Sequence, residues 1–395
     1  MIALIFLTLL GALTAVYALF LHRVGLGLRW LAADRAEQQL AFDNAARAWP
    51  AVAVIVPMRD EEANVDALVA SLRAQEYGGM LRILIVDDAS RDATHARAEA
   101  ACAGDERFTV MTSTGEGGKK RAIEAAVHAV DCEVILTTDA DCRHDRHWVR
   151  AMVALFDEGV DVVAGPVLID DRTTMFARLQ ALEFLGLIGV GAGLIGTGYP
   201  RLCNGANFAY RRDRFLEAGG YATDLLASGD DEFLMQTIVY RLGGRAGFSV
   251  LDEAVVRTPP ASGVRSFLHQ RTRWAGKGLH YSDRSFVSFL VLLFIYMLFV
   301  AVVPFLPFVS GVAAGGGFVL LLLKWILDAR VLVATAALLR APIRIADLLL
   351  AELLHAPYLV VASLAGVTGL GAWKDRPLKR HHAVQQHIDI DRRLP

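Results

Sequence analysis

Residues 134–141 read Val134-Ile135-Leu136-Thr137-Thr138-Asp139-Ala140-Asp141. An apolar, β-branched run of this length reads as a buried strand, and here it stops on two carboxylates one residue apart. In extended chain, side chains two residues apart point the same way, so Asp139 and Asp141 can close on one hard cation that prefers oxygen ligands. The same form recurs upstream. Residues 52–56 are an apolar run that ends at Pro57, and residues 83–86 one that ends at Asp87-Asp88. Asn64 can cap a helix carrying Val65, Leu68, Val69 and Leu72 at helical spacing. Residues 93–103 and 119–130 read as further helices, and 108–111 and 160–164 as strands. Strands alternating with helices predict an α/β fold: a Rossmann-like, mostly parallel sheet with helices on both faces. Ligands of such sheets bind beyond the carboxyl ends of the strands. Asp87, Asp88, Asp139 and Asp141 all fall there, and crowded carboxylates repel unless positive charge lies between them. A metal ion with a phosphate-bearing substrate is one economical answer.

Outward from this middle the chain becomes apolar. Of 395 residues 54% are hydrophobic, and that excess sits at the two ends. Charge is nearly balanced, 40 Lys+Arg against 42 Asp+Glu, so no global field points to nucleic acid. Residues 2–21 carry no charge, and a helix of that length spans about 30 Å, the thickness of a hydrocarbon core. A cleaved signal peptide would place basic residues before the run; here His22, Arg23 and Arg29 come after it. An anchor over 1–22 is therefore expected, with the residues after Arg23 in the cytoplasm by the positive-inside rule. Near the other end lie three apolar stretches, roughly 286–309, 315–339 and 346–371. Pro304 and Pro307 interrupt the first, Lys324, Asp328 and Arg330 the second, and Asp347, Glu352 and His355 the third. Three crossings would put the basic tail (Lys374, Arg376, Lys379, Arg380) outside, against that rule, so a cytoplasmic tail is expected, with one stretch re-entrant or interfacial, or one crossing twice. The organisation is thus an anchor at 1–22, a cytoplasmic domain at 50–284, a membrane region at 285–372 and a tail at 373–395. Cys102, Cys132, Cys142 and Cys203 show no paired spacing, and reduced thiols are expected.

Three further stretches carry candidate chemistry. Gly115-Glu116-Gly117-Gly118-Lys119-Lys120 is not a P-loop, because Ser113 stands where the first glycine belongs and Lys120 replaces the Ser/Thr. Its lysines can open a helix facing a diphosphate, or form a solvated turn. Ser228-Gly229-Asp230-Asp231-Glu232 precedes Phe233, Leu234, Ile238 and Val239, so the acids start a helix where the dipole favours negative charge. In Gln270-Arg271-Thr272-Arg273-Trp274, residues 270, 273 and 274 share one helix face. An interfacial basic helix explains the charges blandly, but it does not require Gln, Arg and Trp together.

Taken together, these motifs resemble the family 2 glycosyltransferases, in particular the membrane-bound inverting branch that includes cellulose synthase, hyaluronan synthase and ceramide glucosyltransferase. The resemblance covers about residues 50–284 and the flanking apolar segments. It rests on VIVPMRDEEANV, LIVDDASRD, GKKRAI, TTDADC, NGANFAYRRDRF, SGDDEFL and QRTRW. It implies a GT-A fold and a nucleotide-sugar donor, with UDP as the usual nucleotide. Asp87, with Asp88 beside it, would contact the base, and Pro57 and Glu61 would line that pocket. Lys119 would approach the diphosphate, while Asp139 and Asp141 would hold Mg2+ or Mn2+ and the donor. Asp231 would be the general base, with Asp230 beside it in place of the family's usual Glu. Gln270, Arg273 and Trp274 would bind diphosphate and acceptor.

The residue types suit that chemistry. A metal and cations stabilise charge developing on a leaving diphosphate, and an acceptor hydroxyl needs one base on the opposite face of the sugar. Direct displacement with inversion is expected. The glycine-rich stretch 186–198, ahead of Asn204-Gly205-Ala206-Asn207, reads either as a buried helix or as a membrane-facing wall beside the acceptor, with Asn207 in the acceptor pocket. A lipid or a glycan could be that acceptor. The few apolar segments favour single transfer to a lipid over a processive synthase with its own channel. A non-catalytic sugar-nucleotide-binding subunit of a membrane complex is the remaining alternative.

Overall fold

The computed structural model describes residues 2–113, 118–156, 159–221, 230–278, 281, 283–367, 372–373 and 376–377. Four parallel strands come first: β1 (Val52–Met58), β2 (Leu81–Asp87), β3 (Phe108–Thr112) and β4 (Val134–Thr137). Helices α2 (Val65–Arg73), α3 (Thr94–Cys102) and α4 (Gly118–Ala129) make the crossovers. Beyond β4 come β5 (Val162–Ala164) and β7 (Phe208–Arg211), and β8 (Ala246–Phe248) closes a seven-stranded sheet ordered β3-β2-β1-β4-β7-β5-β8. Only β7 runs against its neighbours. A second pair, β6 (Val167–Ile169) with β9 (Val256–Thr258), lies beside it. The sheet is mostly parallel, as the alternating pattern predicts. Strands β1 and β4 are buried almost throughout, which is why they read as continuous apolar runs rather than alternating ones.

Two local expectations are corrected. β1 does not stop before Pro57 but runs through it to Met58. The Met58 carbonyl accepts from Asp88 on the β2 side, and the Ile55 carbonyl from Thr138 on the β4 side. Alternation therefore turns position 57 toward β4, whose pairing ends opposite Ile55, so no ladder bond is lost to the missing N–H. Asn64 does sit at the N-cap of α2, but its side chain donates to Glu61 Oε2 at 2.7 Å instead of capping.

The N-terminal helix is longer than the anchor expected at 1–22. α1 (Ile2–Asp43) is one helix of 42 residues, about 63 Å at 1.5 Å per residue. Its first half has the length of a span, and its second half lies against the sheet domain. There the Gln38 amide donates to the Phe248 carbonyl and accepts from the Val250 N–H, and Arg35 pairs with Asp252. The helix thus carries through His22, Arg23 and Arg29 instead of ending there.

Helix α5 (Trp148–Val153) follows β4, and α6 (Met175–Gly196) follows β6. Then come α7 (Arg212–Glu217), α8 (Asp230–Gln236) with a π-turn at Thr237–Arg241, and α9 (Val264–Gly276). α10 (Arg284–Val302), a 3-10 turn at Val303–Phe308, α11 (Gly311–Leu338) and α12 (Ile345–Val367) complete the helices. Pro304 and Pro307 fall in that 3-10 turn, where the α-helix ends. Among the described residues four helices are long and apolar enough to cross a membrane: Ile2–Asp43, Met175–Gly196, Arg284–Phe308 and Ile345–Gly366. The second lies inside the 50–284 region, and the 186–198 stretch is its C-terminal half. It packs on α1 so closely that a Cβ at Gly193 would strike the Val24 backbone. α11 is pinned by a buried cluster in which Lys324 Nζ meets Asp328 at 2.6 Å and Glu352 of α12 at 2.7 Å, while Tyr17 of α1 donates to Asp328. The tail residues Lys374, Lys379 and Arg380 lie outside the described residues.

Candidate active site

The loops after β1 and β2 interlock. Asp60 and Ala89 adopt positive φ (51° and 54°), uncommon for residues with a Cβ. The Asp60 N–H donates to Ser90 Oγ, the Arg91 N–H donates to Asp60 Oδ1, and the Arg59 guanidinium donates to the Asp88 carbonyl. Asp87 and Asp88 are buried here. Asp87 Oδ2 accepts from the Ser90 N–H and one Asp88 oxygen from the Gly118 N–H. Among the described residues no donor reaches Asp87 Oδ1. A buried carboxylate oxygen left open is costly unless a ligand completes it.

Next along the edge, Lys119 at the start of α4 places Nζ 2.7 Å from Asp139 Oδ1. Asp141 lies beyond, its carboxyl pushed up to about 6 by burial first and then by the nearby Asp139 and Glu61 charges. This is a donor set of oxygens in which like charges crowd, as fits a divalent cation. The turn is held from behind by His144, which bonds Thr138 Oγ1 at 2.8 Å and Ser71 Oγ at 3.1 Å. Desolvation, helped by Arg143, holds the His144 ring down at about 3.

A cavity of about 760 Å³ opens from Asp139 and Asp141 toward the apolar helices. Lys119, Asp231, Gln270, Arg273 and Trp274 line it as well. Seven sequence-predicted residues from four separate motifs therefore meet around one space. Pro57, Glu61, Asp87 and Asp88 stand outside its wall, at the ends of β1 and β2. They join it through the Gly118–Asp88 bond and the charge of Glu61 on Asp141. Asp230 opens α8, but its side chain, with Ser228 and Gly229 before it, lies outside the described residues, as do residues 115–117.

Asn207 is a correction. It is fully buried at 0% exposure and lines no part of the cavity. Its amide donates to the Pro166 and Ala254 carbonyls, both at 2.8 Å, and accepts from Trp148 Nε1 at 3.0 Å. It fastens β7 to the loops behind, and Asn204, Gly205 and Ala206 form the wall instead.

The sequence reading missed a second layer. Glu232, next to Asp231, is buried, with Lys277 Nζ at 2.8 Å and Tyr281 donating at 2.5 Å. Burial pulls the Lys277 ammonium down, but Glu232 and Asp231 outweigh it and hold it above its ordinary value. Burial, then Glu232, raises the Tyr281 phenol well above its own. Arg271 grips Glu183 of α6 through Nε at 2.9 and 3.1 Å, and Tyr358 of α12 donates to the same carboxylate at 2.6 Å. Lys277 and Arg271 sat in a visibly basic stretch. Glu183 and Tyr358 lie in apolar helices far apart in sequence, with no pattern to mark them.

Residues 53–217 match the family model described as Glycosyl transferase family 2. The chain carries a family 2 glycosyltransferase domain. The transferase domain is 28% identical to an N-acetylglucosaminyltransferase of Bradyrhizobium diazoefficiens, over 57% of this chain and 48% of that one. It is 32% identical to one of Rhizobium leguminosarum bv. viciae, over 57% of this chain and 55% of that one. The chain thus spans about half the length of the curated relatives it matches. Among solved structures it is similar to a mannosyltransferase of Pyrobaculum calidifontis in complex with GDP-Man and Mn2+. That match has 19% identity and a TM-score of 0.51, covering 92% of this chain and 99% of that one. Helix-flanked parallel strands and the interposed β7 are the GT-A arrangement of the transferase domain.

Proposed function

We propose that the protein moves a sugar from a nucleotide-sugar donor, with UDP the nucleotide the resemblance implies, onto a hydroxyl of a lipid or glycan acceptor at the cytoplasmic face of a membrane, with inversion. The convergence of Lys119, Asp139, Asp141, Asp231, Gln270, Arg273 and Trp274 on one cavity carries this reading. The open Oδ1 of Asp87 suits a base N–H, with Asp88, Pro57 and Glu61 around it. Asp139 and Asp141 would hold Mg2+ or Mn2+, which when bound neutralises charge on the diphosphate. Lys119, Arg273 and Gln270 take the rest of that charge, and Trp274 offers a face to the sugar or acceptor. Asp231 takes the acceptor's proton as its oxygen attacks the anomeric carbon. The four apolar helices support a multi-pass membrane protein. Incubation with a panel of nucleotide sugars, with Mg2+, Mn2+ or chelator, tests the reading through nucleoside diphosphate release. Release from no donor by the intact protein would favour a non-catalytic subunit.

A further inference from the structure

The cavity has two ends of opposite character. One holds the acids of the sheet edge. The other is walled by apolar side chains of three helices long enough to be membrane spans: Phe184 and Leu187 of α6, Val291 and Phe294 of α10, Leu359 and Leu364 of α12. Of these, Leu187, Val291 and Leu364 are 41%, 42% and 50% exposed, so these helices do not seal the apolar end. The cavity therefore opens sideways between α6, α10 and α12, at the level of their apolar surfaces.

The charges between the two ends restrict what can enter. Five carboxylates line the cavity (Asp139, Asp141, Glu183, Asp231, Glu232) against four cations (Lys119, Arg271, Arg273, Lys277) among the described residues. At the apolar end Arg271 is committed to Glu183, and Lys277 to Glu232. Arg273 stands on the face proposed for the donor diphosphate. A lipid phosphate entering here would meet a net negative lining with its cations already paired, and desolvating it there is costly. A neutral headgroup meets no such barrier. Of the neutral polar side chains in the lining, Gln180 is bonded to the Ala261 backbone and Tyr358 to Glu183, and Asn204 and Ser363 are hydrogen-bonding groups suited to hydroxyls. A base at Asp231 points the same way, because a hydroxyl must lose a proton on attack and a phosphate oxygen at neutral pH need not.

We infer that the acceptor is an uncharged, hydroxyl-bearing membrane lipid that enters laterally between α6, α10 and α12. This deepens the glycosyltransferase reading and rests on it. The lipid O–H oxygen forms a bond to the anomeric carbon, and the bond from that carbon to the phosphate oxygen breaks. The electron pair leaves with the nucleoside diphosphate, and the hydroxyl proton passes to the Asp231 carboxylate.

The test uses the full chain in nanodiscs with the donor panel. Four acceptors are compared: dioleoylglycerol, ceramide, dioleoyl phosphatidic acid and a soluble chito-oligosaccharide. Mass spectrometry monitors each acceptor for the added sugar. Transfer to dioleoylglycerol or ceramide at least tenfold above phosphatidic acid and the oligosaccharide is expected. Preference for the phosphate lipid or the soluble glycan overturns the inference while leaving the transferase reading intact. A second measurement needs no turnover. Diacylglycerol with a diazirine in its acyl chain should label peptides of α6, α10 and α12 on irradiation, competed by unlabelled dioleoylglycerol. Labelling confined to other segments, or not competed, also overturns the inference. Competed labelling there without turnover of any donor would instead count against the transferase reading alone.

Discussion

At the scale of single residues, Asp231 and Asn207 separate function from framework. Asp231 faces the cavity beside Gly205, with Lys277 near enough to sense its charge. Asp231→Asn should lower kcat roughly 10²- to 10⁴-fold, as loss of a general base does, while donor Kd by calorimetry stays within about threefold. A parallel rise in Kd would assign it to donor binding instead. Asn207→Ala removes the partner of Trp148 Nε1 and of the Ala254 carbonyl in the interior, while the Pro166 carbonyl keeps the Val256 N–H, at about 1–3 kcal/mol per orphaned group. A clear fall in Tm is expected, with no selective rise in acceptor KM. His144 gives a pH dependence of stability. Its folded pKa is depressed to about 3 against an ordinary value of about 6.5. The unfolded chain therefore binds the extra proton first, and stability is lost as pH falls from about 6.5 toward 3. Thermal melts between pH 7.5 and 5 should show a shallower slope for His144→Gln than for the parent.

At the scale of elements, close helix contacts and buried charges set the frame around the cavity. A Cβ at Gly366 of α12 would press on the Thr272 carbonyl and the Gly276 N–H of α9. Gly366→Val should therefore push away the helix that carries Gln270, Arg273 and Trp274, lowering turnover by tenfold or more. Unchanged kinetics would show that α9 tolerates the shift. Lys324→Met removes the cation shared by Asp328 and Glu352. Breaking a buried ion pair from one side costs about 3–5 kcal/mol, and a matching loss of thermal stability in detergent is the readout. The elements also show what was legible in the sequence. β1, β2 and β4 declared themselves because strands buried on both faces are continuous apolar runs, and β2 and β4 lead into the acids they present. α9 was legible because three unlike residues share one of its faces. α6 as a candidate span was not: Glu183 and the glycines broke the pattern, and only the bonds of Glu183 to Arg271 and Tyr358 and the packing of the glycines on α1 and α11 explain them. The role of Asn207 was misread because a polar side chain near a motif looks the same in sequence whether it faces a ligand or three backbone and indole partners.

At the scale of the whole molecule, the apolar helices and the transferase domain share side chains instead of meeting at a linker. Tyr358 of α12 bonds Glu183 of α6, and Gln38 of α1 bonds both sides of the bend after β8. If the apolar helices cross the membrane as proposed, a cysteine placed at the exposed Asp66 should resist a membrane-impermeant maleimide in intact cells and react after permeabilisation. Reaction in intact cells would reverse the proposed orientation. A last consequence comes from α1, which runs unbroken from its apolar half into its contact with β8. With its apolar half in the membrane as proposed, a rod with no hinge would hold the transferase domain at a fixed altitude above the bilayer. The reactive oxygen of any acceptor must then rise to one set depth, so turnover should pass through an optimum as the acyl chains of the host membrane are lengthened.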